Sequence, residues 1–422
     1  MNWQRFVPEL VRRRLAGRTK VQASLFYASS SLICQAMRFC GIVISTRLID
    51  ARQFGYFAQA SLVLVFAGLV REIGQTTALV SYNGTDRRYV AYHFQLNAVL
   101  GLLAAILVWS LFPFLTAIPS HVRLTAWILA ALALVENLTQ TGLIAAQKAF
   151  RFGLLARIEI IAVAVWLGTL IGCVSRTEGF IALLIAQLAE FSFRLAAIMA
   201  ASGWRCVGRA TGGDLRSYYF GRFVRHLAPQ TILQTIVGRL DYLLLTFLGT
   251  VAQLGIYERM LQFIRIPWSL SINLIDRVLL VSYSREQADT AALRQTLRKS
   301  MGLIAVAVTG AILAATVAFA FVLKPLVGPD WAATILHHWW VALPFTLLTP
   351  FVWNLNIFCQ GTGRAAQLLR NTAFLLPATA VAGLCLVPRF GAAGMLAAQG
   401  CAFAALVAYQ LRTVKSALSK AS

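Results

Sequence analysis

The sequence is short of acid, and of charge altogether. Asp and Glu number 15 in 422 residues, and the four charged types make up only 13% of the chain. A soluble domain carries nearer a quarter, because its surface has to be wetted. A chain this poor in charge cannot cover a water-facing surface, which excludes a cytosolic enzyme, a secreted domain and a disordered chain. Signals for metal and redox chemistry are lacking too. The seven Cys (Cys34, Cys40, Cys173, Cys206, Cys359, Cys385 and Cys401) form no C-x-x-C pair and sit almost wholly in apolar runs, so they read as buried free thiols. The five His (His93, His121, His226, His337 and His338) have no H-E-x-x-H or similar ligand spacing. The sequence therefore gives no sign of a metal, a cofactor or a catalytic constellation. No hydrophilic stretch is large enough to fold as a separate domain.

What the chain has in quantity is apolar residues, 59% of the total, with a mean hydropathy of +0.71. The bilayer must be its main solvent. A membrane core needs about 20 apolar residues per helix, and about twelve such segments are legible. They lie near 23–46, 54–82, 89–112, 122–146, 154–175, 179–201, 218–247, 254–283, 300–323, 333–359, 367–387 and 391–411. The fold class expected is all-α integral membrane. Residues 1–22 are too basic for a cleaved signal peptide. Trp3, Phe6, Val7, Leu10 and Val11 suit one face of a short in-plane helix.

The net charge is +23. Its cations are scattered among apolar segments rather than clustered, so nucleic acid is not the expected partner. Counted on alternate sides of the spans, Lys and Arg fall about 23 to about six. The richer side holds both termini and the loops Ser202–Ser217 and Ser284–Lys299. That side is expected to be cytoplasmic, which makes a multi-pass protein of a bacterial inner membrane with both ends inside.

The segment Thr46-Arg-Leu-Ile-Asp-Ala-Arg-Gln-Phe-Gly-Tyr-Phe repeats weakly as Thr246-Phe-Leu-Gly-Thr-Val-Ala-Gln-Leu-Gly-Ile-Tyr. Thr46 pairs with Thr246, Leu48 with Leu248, Gln53 with Gln253, Gly55 with Gly255 and Phe57 with Tyr257. An even number of spans separates the copies. Parallel repeats follow: two six-helix lobes, about 1–205 and 206–422, related by a pseudo-twofold axis along the membrane normal, with a substrate path between them.

Charges remain inside the spans, where each costs at least about 2.5–3.5 kcal/mol. The cations are Arg38, Arg71, Arg194, Arg222, Arg225, Arg239, Arg259, Arg265 and Arg277. The acids are Glu72, Glu136, Glu159, Glu190, Asp241, Glu258 and Asp276. Ser24, Ser31, Arg38 and Ser45 recur every seven residues on the first helix, a polar stripe with Gln35 beside it. Glu258, Gln262, Arg265, Ser269, Asn273 and Asp276 make another on the eighth, interrupted by Pro267, which should kink it. Glu190 and Arg194 are four apart and suited to pair. Arg222 and Arg225 suit snorkelling to the interface. Arg38, Arg71, Arg239, Arg259, Arg265 and Arg277 are the candidates to line a water-filled cavity. Arg suits phosphate there, because its planar fork donates two hydrogen bonds to one group. Glu136, Glu72, Asp241 and Glu190 are candidates to carry a coupling proton or cation, the alternative being counter-ions to neighbouring Arg.

Two stretches resemble the bacterial polysaccharide flippase (Wzx-type) family of the multidrug/oligosaccharidyl-lipid/polysaccharide exporter superfamily. The first runs from Thr46 to Ala58 and continues at Glu72-Ile-Gly-Gln-Thr-Thr-Ala-Leu-Val. The second is Arg239-Leu-Asp-Tyr-Leu-Leu-Leu-Thr-Phe-Leu-Gly, then Leu254-Gly-Ile-Tyr-Glu-Arg and Pro267. The chain departs from the family at Ile49-Asp50, where members more often carry Leu-Gly. The resemblance implies a transporter, not an enzyme. It implies that undecaprenyl-diphosphate-linked oligosaccharide moves from the cytoplasmic to the periplasmic leaflet by alternating access. That step would serve O-antigen, capsule or exopolysaccharide synthesis. Membrane lipids, and the polymerase and chain-length proteins of the pathway, would be its partners. By position Arg38, Arg71, Arg239 and Arg265 carry over as cavity residues. A multidrug-type cation antiporter of the same superfamily stays open, although cations outnumber acids in these spans. A membrane glycosyltransferase or polymerase fits less well, since the outer loops are short and no Asp-x-Asp occurs.

Overall fold

The computed structural model describes residues 18–71, 87–111, 122–148, 151–202, 232–286 and 289–419. Among these every regular element is a helix. The bilayer offers no water to satisfy backbone N–H and C=O groups, so each apolar run must close its hydrogen bonds internally. In order the helices are α1 (Arg18–Leu48), α2 (Ala51–Arg71), α3 (Arg87–Leu111), α4 (Val122–Lys148), α5 (Phe152–Val174) and α6 (Gly179–Ser202). They continue with α7 (Leu240–Leu248), α8 (Val251–Arg285), α9 (Thr290–Phe321), the short α10 (Leu323–Val327), α11 (Pro329–Gly361) and α12 (Ala365–Ser419).

α12 is two helices in one. Gly391 (φ 56°, ψ −125°) breaks it into two arms, matching the boundary expected between the last two spans. Only glycine adopts that backbone angle without strain, and a side chain there would also meet Gln253. Each expected span has a helical counterpart. Among the described residues seven helices are long and apolar enough to cross a membrane. The protein is a multi-pass membrane protein. Large apolar side chains lie open along α9, including Val306, Leu313, Val317 and Phe321, as a lipid-facing surface requires.

The seventh span departs from expectation. The apolar run over 218–247 predicts a continuous helix, but a turn at Gly238–Arg239 separates a helical stretch at 232–237 from α7. Gly238 breaks the run because it is a poor helix interior residue. Arg239 then becomes the N-cap of α7 (φ −130°, ψ 5°).

The chain forms two compact units. The first comprises Met1–Gly41 and Val63–Ile232; the second comprises Ile42–Leu62 and Leu233–Ser422. In the first, α3 packs on α4, α5 on α6, and α4 on α6. Ala146, Leu155, Ile158, Ile198 and Met199 form one of its cores. In the second, α11 packs on α8, α9 and α12, and α7 packs on α12. Tyr283, Leu293, Leu297, Phe358, Cys359 and Val414 close one end of it.

The weak repeat has a physical basis. Thr46 donates to the carbonyl of Ile42 at 2.6 Å, and Thr246 donates to that of Tyr242 at 2.7 Å. Asp50 accepts from the backbone N–H of Gln53 at the start of α2. Thr250 accepts from that of Gln253 at the start of α8, and the Gln253 side chain accepts in return from Thr250 N–H. Each copy is thus the end of one helix followed by the capped start of the next. Within the second unit the starts of α2 and α8 meet reciprocally. A Cβ on Gly55 would overlap the carbonyl of Val251, and one on Gly255 would overlap the carbonyl of Ala51. The glycines recur because two helix backbones touch there.

Candidate functional site

In the first unit α1, α5 and α6 bring four charged side chains into one chain of ion pairs. Glu190 stands at its centre, 3% exposed. Its Oε1 accepts from Arg38 Nη2 at 2.5 Å and from Arg194 Nη2 at 2.6 Å. Arg194 also donates to Glu159 Oε1 at 2.7 Å. The Glu190–Arg194 pair is the one their spacing on α6 foretells. Arg38 and Glu159 reach it only through tertiary packing.

The four charges balance, so the cluster is held in an apolar setting without a net charge. It is not closed off. The Arg38 side chain remains 41% exposed while its acid partner is buried. The guanidinium carbon of Arg38 lies 5.7 Å from the ring centroid of Trp166 on α5. Gly41, one turn along α1, faces the same indole at a distance where a Cβ would clash. Arg38 is therefore held by a carboxylate and an indole with part of its fork open. Sequence reasoning missed Trp166, because nothing along the chain marks an aromatic as the seat of a distant Arg.

The second unit treats its charges differently. Arg259 on α8 is 2% exposed. Its guanidinium carbon lies 3.3 Å from the ring centroid of Phe54, and its Nη1 donates to Gln262 Oε1 at 2.7 Å. Gln262 in turn donates to Glu258 Oε1 at 2.6 Å, and Glu258 also takes a hydrogen bond from Tyr242. Asp241, 5% exposed, accepts from Tyr257 Oη at 2.5 Å and from the backbone N–H of Tyr242 at 2.9 Å. Tyr242 and Tyr257 pack edge to face at 5.7 Å, which fixes both phenols. Arg239 is half-buried, its guanidinium carbon 5.2 Å from the Tyr242 ring centroid. These tyrosines are a second group that charge-hunting along the sequence passes over.

The other candidates are placed as follows. Glu136 is half-buried on α4, beside Asn137, which donates to the carbonyl of Ala133 at 2.7 Å. Arg71 ends α2, and Arg265 and Arg277 sit on α8, with side chains outside the described residues. Glu72, Arg222 and Arg225 lie outside them altogether. Among the described residues no cluster of His, Cys, Asp and Glu could hold a metal ion.

Membrane-spanning helices with charged clusters buried among them define a class, the all-α multi-pass membrane proteins. The fold has counterparts among solved structures. It resembles that of a lipid II flippase, MurJ, in an inward closed conformation, with a TM-score of 0.72 at 12% identity, over 94% of this chain and 87% of that one. It also resembles an inward-facing multidrug resistance MATE family transporter of the MOP superfamily, with a TM-score of 0.64 at 13% identity over 92% and 96%. A Vibrio cholerae MATE transporter, VcmN, gives 0.62 at 13% over 95% and 96%. Comparison with curated proteins finds no match. Residues 44–336 match the family described as polysaccharide biosynthesis protein, and the chain belongs to that family.

Proposed function

We propose that this protein is a flippase for undecaprenyl-diphosphate-linked oligosaccharide repeat units, moving them from the cytoplasmic to the periplasmic leaflet by alternating access. The pathway would make O-antigen, capsule or exopolysaccharide, and the protein would sit in the inner membrane with both termini cytoplasmic. The observation that carries this reading is Arg38. A cation inside a span, fixed by Glu190 and Trp166 yet 41% exposed, is built to meet an anion from outside the protein. A diphosphate is such an anion, and a guanidinium fork matches its oxygens. Arg239 is the corresponding cation of the second half, with no carboxylate at ion-pair distance among the described residues. Lobes of about 1–205 and 206–422 would be the moving parts. Of the coupling candidates, Asp241 is buried and accepts from Tyr257 and from the backbone N–H of Tyr242, while Glu190 is buried between Arg38 and Arg194.

A second reading has one observation in its favour. Asp241 and Glu258 each accept a hydrogen bond from a phenol, Tyr257 and Tyr242 respectively, a setting that suits acids receiving an organic cation or a proton. That is the multidrug-type antiporter reading.

The test is a deletion strain in which lipid-linked oligosaccharide is quantified and its leaflet assigned by lectin access in sealed vesicles. The repeat unit should accumulate on the cytoplasmic leaflet and be cleared by the wild-type gene. Arg38→Ala should fail to clear it, with export down on the order of tenfold or more, since one charged hydrogen-bonded contact to phosphate is worth at least about 1.5 kcal/mol. Its fold should persist, because Glu190 keeps Arg194. Normal leaflet distribution in the deletion strain would remove the flippase reading and favour the antiporter.

A further inference from the structure

From Trp331 to Ser422 the sequence contains no Asp or Glu, while Arg364, Arg370, Arg389, Arg412, Lys415 and Lys420 remain. Nothing in the transport reading uses this. Two of these cations share a cavity. In the second unit the end of α11, the start of α12 and the end of its second arm border an open cavity of about 290 Å³, lined in part by Cys359, Arg364, Gln367, Arg370 and Thr413. Arg364 is half-buried, its guanidinium carbon 5.5 Å from the ring centroid of the fully buried Phe358. Arg370 is exposed. Among the described residues no carboxylate lines the space. Glu286 and Asp289, the acids near this end, are not in its wall, and Asp289 is occupied in capping the N–H groups of Ala291 and Ala292.

The wall behind is rigid. Gln367 donates to Asn371 at 3.0 Å, Asn371 to Asn356 at 3.2 Å, and Gln410 to Asn356 at 2.9 Å. Asn371 and Gln410 are almost fully buried, so this amide ladder ties both arms of α12 to α11. Two guanidinium groups with no carboxylate beside them among the described residues attract an anion, and their forks suit phosphate oxygens. The cavity's lining residues fall at or just beyond the ends of the apolar runs 333–359, 367–387 and 391–411, where span length puts the lipid headgroups. By the Lys and Arg count this is the cytoplasmic side, where anionic lipid is concentrated.

We propose that this cavity is a binding site for a phosphate-bearing anion, separate from the Arg38 cluster and held by Arg364 and Arg370. The phosphate can belong to an anionic phospholipid headgroup or be free in solution. The inference does not depend on what the protein transports, and its test involves no transport.

Delipidated full-length protein in detergent would be titrated with phosphatidylglycerol or phosphatidylcholine and followed by native mass spectrometry. Labelled inorganic phosphate would be followed in parallel by equilibrium dialysis. The wild type should retain phosphatidylglycerol on the order of tenfold more tightly than phosphatidylcholine, and Arg370→Glu should abolish the difference. Arg370 is exposed, so that variant keeps the fold even if Arg364→Ala does not. Saturable phosphate binding that Arg370→Glu abolishes, with no preference among lipids, would support the site and identify the soluble source. Anion binding that is absent from the wild type, or unchanged in both Arg370→Glu and a folded Arg364→Ala, would overturn the proposal.

Discussion

Arg38 and Arg259 are both cations within membrane-spanning helices, and the protein handles them in opposite ways. Arg38 shares a buried carboxylate with a second Arg and keeps part of its fork open. Arg259 is enclosed, with an aromatic face and an amide as partners and its Nε without an acceptor. Either arrangement offsets the cost of charge in an apolar medium. Only the first leaves room for a ligand. The number of Arg in the spans is therefore a poor guide to which of them meet a substrate, and the partners decide.

The contrast can be broken most forcefully at Glu190. Glu190→Gln would leave Arg38 and Arg194 facing each other without an acid between them. Removing one member of a buried pair costs about 3–5 kcal/mol, so denaturation in mixed micelles should show a loss of that order. A loss below about 1 kcal/mol would mean that the cluster is not held by charge.

The second effect in size belongs to the glycine contact. Gly255→Leu forces apart the backbones at Ala51 and Val251, with an expected cost of about 3 kcal/mol in the same assay. Gly153→Ala, where a Cβ meets open space, should change stability little and serves as its control.

A double-mutant cycle between Arg259→Met and Phe54→Leu sharpens the contrast from the other side. A desolvated guanidinium on a ring is worth about 2 kcal/mol, and the coupling energy should approach that value. The equivalent cycle between Arg38→Met and Trp166→Leu should give less than about 1 kcal/mol, because that contact is longer and open. The smallest effect is expected at the cap. Thr250→Ala removes the acceptor for Gln253 N–H and should cost about 1 kcal/mol.

Much of this architecture is legible along the chain. Helix positions follow from apolar run length, because a bilayer leaves the backbone no other way to satisfy itself. The Glu190–Arg194 pair is legible because spacing of four puts both on one face. The Gly391 kink falls where two apolar runs meet. The break before α7 is not legible, although Gly238 is in view, since membrane-spanning helices tolerate glycine inside an apolar run. The joining of Arg38 to Glu190, and of Arg194 to Glu159, cannot be read at all. The residues are far apart in sequence, and every acid in the spans is an equally good partner on paper.

The division has a physical cause. Membrane insertion and helix formation are local: each depends on a single run of side chains and on the backbone's need for internal hydrogen bonds. The order of residues is therefore enough to set the all-helical membrane class, the succession of spans and the capped, glycine-bearing helix starts of the repeat. Which charge faces which is a property of helices brought side by side. Packing alone leaves Arg38 open beside Trp166, shuts Arg259 behind Phe54, and places Arg364 and Arg370 in the wall of one cavity.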